Sequence, residues 1–153
     1  MTTASVQASD TDSNLDTALA TVASEISRTD GKASLLLAFN GAVLAGLASV
    51  ADHQLPTTAK VFGAAAVLAL ATAAVLLLLV VRPRLHGRDR ASFPYWARLD
   101  EDEIRACMNG DTRAARLRVL SVIATGKFRQ LRHAVDLSLA ALALLLAAAV
   151  GLV

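Results

Sequence analysis

The stretch VFGAAAVLALATAAVLLLLVV, Val61–Val81, runs for twenty-one residues without a charged side chain. At about 1.5 Å rise per residue, a helix of that length reaches about 32 Å, enough to cross a bilayer hydrocarbon core of roughly 30 Å. Outward from it, ASLLLAFNGAVLAGLASVA, Ala33–Ala51, is also uncharged, and a third apolar run, Leu137–Val153, closes the sequence. These runs predict transmembrane helices at 33–51, 61–81 and 134–153. Helices apolar on every side need lipid or protein around them. With about sixty of the 153 residues in spans, too few remain to bury a conventional soluble core. The expected fold is all-α: an integral membrane protein with three transmembrane helices and a cytoplasmic helical stalk.

Residues 1–27 carry no basic residue and no apolar block of the secretory kind, so the spans are expected to stay in the mature chain. The single cysteine, Cys107, has no internal disulfide partner and reads as a small packing residue. The formal net charge is only +2, but twelve of the fifteen basic residues, from Arg82 to Arg132, lie between the second and third spans. By the positive-inside rule that segment faces the cytoplasm. The N-terminus is then cytoplasmic, Asp52–Lys60 forms a short outside turn at Pro56, and the C-terminus lies outside.

Residues 1–13, rich in Thr, Ser, Ala and Asp, read as a flexible N-terminal tail. In 14–32, Leu15, Leu19, Val22 and Ile26 recur at helical spacing and predict an amphipathic cytoplasmic helix, capped by Ser13 or Asn14. Only Gly31 argues for a break before the first span, at about 1 kcal/mol relative to alanine. Residues 82–132 read as a cytoplasmic basic loop and helix. There Leu117, Leu120, Ala124, Phe128 and Leu131 form a second stripe that leads into the third span. The two stripes are expected to bury against one another or against a second copy of the chain. Pro83, Gly87 and Pro94 make Arg82–Arg98 irregular. Asp100–Glu103 begin a helix where the dipole favours acids, Asn109-Gly110 is a stop, and Asp111 or Thr112 caps the next helix.

No catalytic constellation is visible. His53, His86 and His133 are isolated, HxxxH and CxxC spacings do not occur, and there is no glycine-rich phosphate loop. The chain is therefore expected not to be an enzyme and to hold no metal and no cofactor. Arg113, Arg116 and Arg118 lie within six residues, which suits either a phosphate or anionic lipid head groups. Phe93, Tyr95 and Trp96 suit stacking on a base or, more commonly, anchoring at a membrane interface. Asn40, beside Gly41 and Gly46, marks a polar, small-residue face for close helix packing, expected between subunits of a homo-oligomer. Apart from Asn40 the three spans are read as holding no buried acid or base at mid-depth to coordinate a substrate, which disfavours a transporter.

Two segments carry a resemblance. Arg28-Thr29-Asp30-Gly31-Lys32-Ala33 leads into the first span and meets Asn40-Gly41; Leu120-Ser121-Val122-Ile123-Ala124-Thr125-Gly126-Lys127-Phe128, through Leu131-Arg132, precedes the last. The first resembles the Asp-x-Lys-Ala junction, and the second the Leu-Ser-x-Ile-x-x-x-Lys-aromatic signature, of the small transmembrane effectors of bacterial Pycsar antiphage systems. Gly31 stands where that family more often carries Thr or Ser.

The resemblance implies an effector that senses cyclic UMP or cyclic CMP made by a neighbouring pyrimidine cyclase. It then impairs the inner membrane, causing abortive infection, and has the lipid bilayer, but no DNA or RNA, as a further partner. It further implies Arg113 and Arg116 as candidates for the cyclic phosphate and Trp96 for the base. Asp30 and Lys127 are a candidate charge pair holding the resting bundle, with Lys32 as competing partner. The alternative is a non-conducting membrane scaffold or sensor subunit that binds another protein through its cytoplasmic helices.

Overall fold

In the computed structural model the described residues are 2–51, 54–82, 93–108 and 110–150. Expectations that rest on Asp52, His53, Pro83, Arg84, His86, Gly87, Arg88, Arg90, Asn109 or residues 151–153 lie outside them, as does the side chain of Phe93. The described residues form five helices and no strand: α1 Thr2–Val50, α2 Thr57–Val81, α3 Phe93–Trp96, α4 Glu101–Met108 and α5 Arg113–Val150. By length and composition α1, α2 and α5 can each cross a membrane.

Helix α1 begins at Thr2, twelve residues before the expected start at Asn14. The reason is local: residues 2–30 contain neither proline nor glycine, so nothing in the backbone stops a helix. Ser13 lies inside it and is no cap, since its carbonyl accepts the Thr17 hydroxyl at 2.8 Å. Gly31 does not break the helix either. The expected irregular segment contains a helix of its own, α3, with Pro94 in its first turn, where a missing N–H costs nothing.

Helix α4 opens with a reciprocal capping box. Glu103 N–H donates to Asp100 Oδ1 at 2.8 Å, and Asp100 N–H donates to Glu103 Oε2 at 3.1 Å. The acidic cluster is thus a helix start. At α5, Asp111 Oδ1 accepts the Arg113 N–H at 3.0 Å, and the Thr112 carbonyl accepts the Arg116 N–H at 2.9 Å.

The chain divides into two compact units, a polar one of Met1–Arg28 with Pro83–Gly126 and an apolar one of Thr29–Arg82 with Lys127–Val153. In the apolar unit, one buried cluster joins Ala33 of α1, Leu77 and Val80 of α2, and Leu131 and Ala134 of α5. A second joins Ala66 and Leu70 of α2 with Ala141 of α5, and Val43, Leu44 and Leu47 of α1 pack against it. Residue numbers rise together on α1 and α5 and fall on α2, so α1 and α5 are parallel and α2 is antiparallel to both. The buried alanines recur every seven residues, Ala59, Ala66 and Ala73 on α2 and Ala134, Ala141 and Ala148 on α5. Small side chains at a heptad period let helix backbones approach closely.

The outer surface of this unit is apolar as well: Leu35, Leu68, Val75, Leu78, Leu139 and Leu146 are each more than half exposed. Such a surface requires a hydrocarbon solvent. Asp136 is exposed on α5 between Ala134 and Ala141, level with the part of α2 between Leu70 and Leu77. A carboxylate therefore stands alongside the charge-free stretch of α2.

In the polar unit, Leu15, Leu19, Val22, Ile26, Leu117 and Leu120 are half-buried and Ala124 is buried. These are the inward stripes that periodicity predicts. In the apolar unit the α5 stripe departs from the expected one: Phe128 is exposed, and Lys127 takes the inward place before Leu131.

Candidate functional site

Both sequence-predicted polar positions of the apolar unit, Asp30 with Lys127 and Asn40, lie on the seam between α1 and α5. Lys127 comes three residues after the buried Ala124, so helical spacing turns its ammonium toward α1. There Nζ donates to both oxygens of Asp30, at 2.5 Å to Oδ1 and 2.7 Å to Oδ2. The Lys127 side chain is 11% exposed and that of Asp30 36%. Lys32, the competing partner, is exposed two residues further along α1 and makes no such contact.

Ten residues beyond Asp30, Asn40 is fully buried. Its Nδ2 donates to Ser138 Oγ at 3.0 Å. The hydroxyl in turn has its one proton between Asn40 Oδ1, at 3.2 Å, and the Ala134 carbonyl, at 2.9 Å. Asn40 is thus satisfied within one chain rather than at a subunit interface. The neighbouring Gly41 and Gly46 are exposed, with nothing within 4 Å of an added Cβ. The two pairs lie 97 and 98 residues apart in sequence, the register of two parallel helices in step.

In the polar unit, Arg113 at the start of α5 is held by three carboxylates. Its guanidinium pairs with Asp12 Oδ1 at 2.5 Å, Asp111 Oδ1 at 3.1 Å and Asp16 Oδ2 at 3.3 Å. Hydrogen bonds from the Arg113 side chain and backbone hold the Asp111 carboxyl below its ordinary value of 3.8. In return, the hydrogen bond to Asp111 raises Arg113, and the charges of Asp111, Asp12 and Asp16 add to it. Arg116, one turn along α5, lies over the Trp96 ring with its guanidinium carbon 5.7 Å from the centroid, a cation–π contact. The structure therefore brings Arg116 and Trp96 together and gives Arg113 a separate, acidic environment. Arg118 is exposed, and Cys107 is half-buried.

Four participants do not stand out in the sequence: Ser138, Asp12, Asp16 and Asp136. Ser138 has a usable signal, because continuing the stripe from Leu131 by three and four residues reaches Ala134 and Ser138. Asp12 and Asp16 have none, since they meet Arg113 from 101 and 97 residues away. Among the described residues no group of His, Cys, Asp and Glu has a metal-binding arrangement.

The family model described as the Pycsar effector protein domain matches residues 14–153. No curated protein and no solved structure matches the chain. The match takes in the Asp30–Lys127 and Asn40–Ser138 pairs, the Arg116–Trp96 contact, and Arg113 with Asp16 and Asp111 but not Asp12, together with the apolar parts of all three helices able to cross a membrane. The chain belongs to the Pycsar effector family and is a membrane-associated effector of antiphage defence.

Proposed function

We propose that the protein senses a cyclic pyrimidine nucleotide, cyclic UMP or cyclic CMP, made by a partner cyclase, and responds by impairing the bacterial inner membrane so that infection aborts. It acts as a binding protein and not as an enzyme. In this reading the polar unit is cytoplasmic and α1, α2 and α5 span the membrane, with the N-terminus inside and the C-terminus outside. The family match over residues 14–153 carries the reading, because it extends through both units.

The ligand site rests on Trp96, Arg116 and Arg113. A base stacks on the Trp96 face that Arg116 now covers, the released guanidinium takes the cyclic phosphate, and the phosphate competes with Asp12 and Asp16 for Arg113. Such a ligand binds the state with free arginines better than the state with paired ones, which is the condition for shifting an equilibrium. Helices α1 and α5 each contribute residues to both units, so a change in one reaches the other through continuous helix. The Asp30–Lys127 pair then serves as the contact that keeps the membrane helices in their resting arrangement.

The test is leakage from dye-loaded liposomes that contain the purified chain, with cyclic UMP, cyclic CMP or cyclic AMP added separately. Release triggered by one pyrimidine nucleotide alone is the expected result. Silence with all three would overturn effector action by this chain alone and favour the scaffold reading.

A further inference from the structure

Helix α5 presents a second, outward stripe on the side away from the α1–α2–α5 clusters. Arg129, Arg132, Asp136, Leu139, Ala143, Leu146 and Val150 succeed one another at alternating three- and four-residue steps, and all seven are exposed. The apolar members of this stripe suit lipid. Asp136 does not. No hydrogen bond or ion pair reaches it among the described residues, and none reaches Arg132 one turn below. The level of Asp136 falls between Leu70 and Leu77 of α2, inside a stretch of twenty-one residues with no charge of its own. An ionised carboxylate facing hydrocarbon there is unfavourable, and ionisable groups in membrane helices are found paired or facing the bundle interior.

We infer that the outward face of α5 docks against the same face of a second copy of this chain, with Arg132 of each copy pairing to Asp136 of the other. The occupant is fixed by charge. The stripe carries a cation and an anion one turn apart, so it is complementary to itself when two copies run in the same direction, as copies inserted with one topology must. Two helices related by an axis along the membrane normal then make two reciprocal pairs. Below them Arg129 stays at the head-group end, and above them Leu139, Ala143, Leu146 and Val150 repeat at about 3.5-residue spacing, the period of a left-handed helix pair. Lipid would satisfy the leucines but leave Asp136 unpaired; a second copy satisfies both.

The experiment uses the full chain in membranes, with Cys107→Ser removing the one native thiol. Leu139→Cys on the outward stripe is expected to give an oxidative disulfide dimer, whereas Leu145→Cys, packed toward the second buried cluster, is not. Arg132→Asp alone and Asp136→Arg alone each abolish the Leu139→Cys dimer, because each leaves like charges facing one another. Co-expression of the two reversed chains under different tags restores a crosslink between them, which pairing within a single chain could not produce. Asp136→Asn, which inserts more easily than the wild type, also loses the dimer. A Leu139→Cys chain that stays monomeric, an undiminished dimer in Asp136→Asn, or reversed chains that both reach the membrane without crosslinking would each overturn the interface.

Discussion

Lys127 donates through one Nζ to both oxygens of Asp30, joining α5 to α1 where the apolar unit begins. With the ammonium side chain 11% exposed and the carboxylate 36%, the lysine has the more to lose when the pair breaks. Asp30→Asn leaves a largely buried cation without its counter-charge and is expected to lower stability in detergent by about 1–3 kcal/mol. A double variant, Asp30→Asn with Lys127→Met, should recover most of that loss, since removing both charges is far less costly than removing one. Thermal unfolding of the wild type and the two variants checks the order. The same Asp30→Asn protein is expected to raise basal dye release from liposomes; unchanged resting and triggered release would remove the pair from any role in holding the bundle.

The Asn40–Ser138 pair predicts an asymmetry. Ser138→Ala strands a fully buried amide, whose donor and acceptor both meet that hydroxyl. Asn40→Leu leaves Ser138 still donating to the Ala134 carbonyl at 2.9 Å. Ser138→Ala is therefore expected to be the more harmful, by about 1 kcal/mol, the usual scale for such bonds between membrane helices. Thermal or detergent titration of the two single variants decides it, and equal losses would mean that packing rather than hydrogen bonding sets the cost.

How much of this is legible in the sequence depends on the kind of contact each residue makes. Val61–Val81 announces a span because an uncharged run needs no partner to be read. Asp30 and Lys127 stand out because each is a charge at the edge of an apolar helix, where an ion has few uses other than pairing. Ser138 is hard to see because a serine inside an apolar run looks like a tolerated small residue, and its value appears only when Asn40 is brought opposite. Asp136 is obscured for a related reason: it lies one residue before the apolar run that starts at Leu137, and only the packing of Ala134 and Ala141 against α2 sets its depth. The carboxylates on Arg113 come from the early turns of a helix whose first residues are polar enough to read as a tail. No local rule reaches across 97 residues.

Arg113 also gives the polar unit a pH dependence with a definite sign. Because hydrogen bonds from Arg113 hold the Asp111 carboxyl below 3.8, the stabilisation from this contact is present above the unfolded value and is lost as pH falls through the lower folded value. Trp96, the one tryptophan, reports on this unit by fluorescence. An acid transition below about pH 4 is expected in the wild type. In Arg113→Gln, with Asp111 returned toward its ordinary range, it should move to higher pH. Coincident curves would show that Asp111 and Arg113 contribute nothing to it.

Gln130 offers a test that runs in the stabilising direction. Its Oε1 is buried without a hydrogen-bond partner among the described residues, one turn below Ala134 on α5. An unsatisfied buried acceptor costs about 1–3 kcal/mol, and methionine keeps the length and flexibility of the side chain while removing the acceptor. Gln130→Met is accordingly expected to raise the unfolding midpoint, with resting dye release unchanged. A lower midpoint would mean that the amide is satisfied in the membrane-embedded protein.

The competition proposed at Arg113 can be tested without touching any arginine. Asp12 and Asp16 pair with its guanidinium, whereas the guanidinium of Arg116 lies over the Trp96 ring. If a cyclic phosphate must displace the two carboxylates, Asp12→Asn with Asp16→Asn should tighten cyclic nucleotide binding by about tenfold, equivalent to about 1.4 kcal/mol. Arg113→Ala with Arg116→Ala should abolish binding, and Arg116→Ala alone should weaken it more than Arg113→Ala alone, since Arg113 is already neutralised in the resting state. Calorimetry or Trp96 fluorescence titration with cyclic UMP and cyclic CMP measures all four proteins. Wild-type affinity in the double arginine variant would move the ligand site away from this end of α5, and weaker binding in the double asparagine variant would make Asp12 and Asp16 part of the binding surface rather than its competitors.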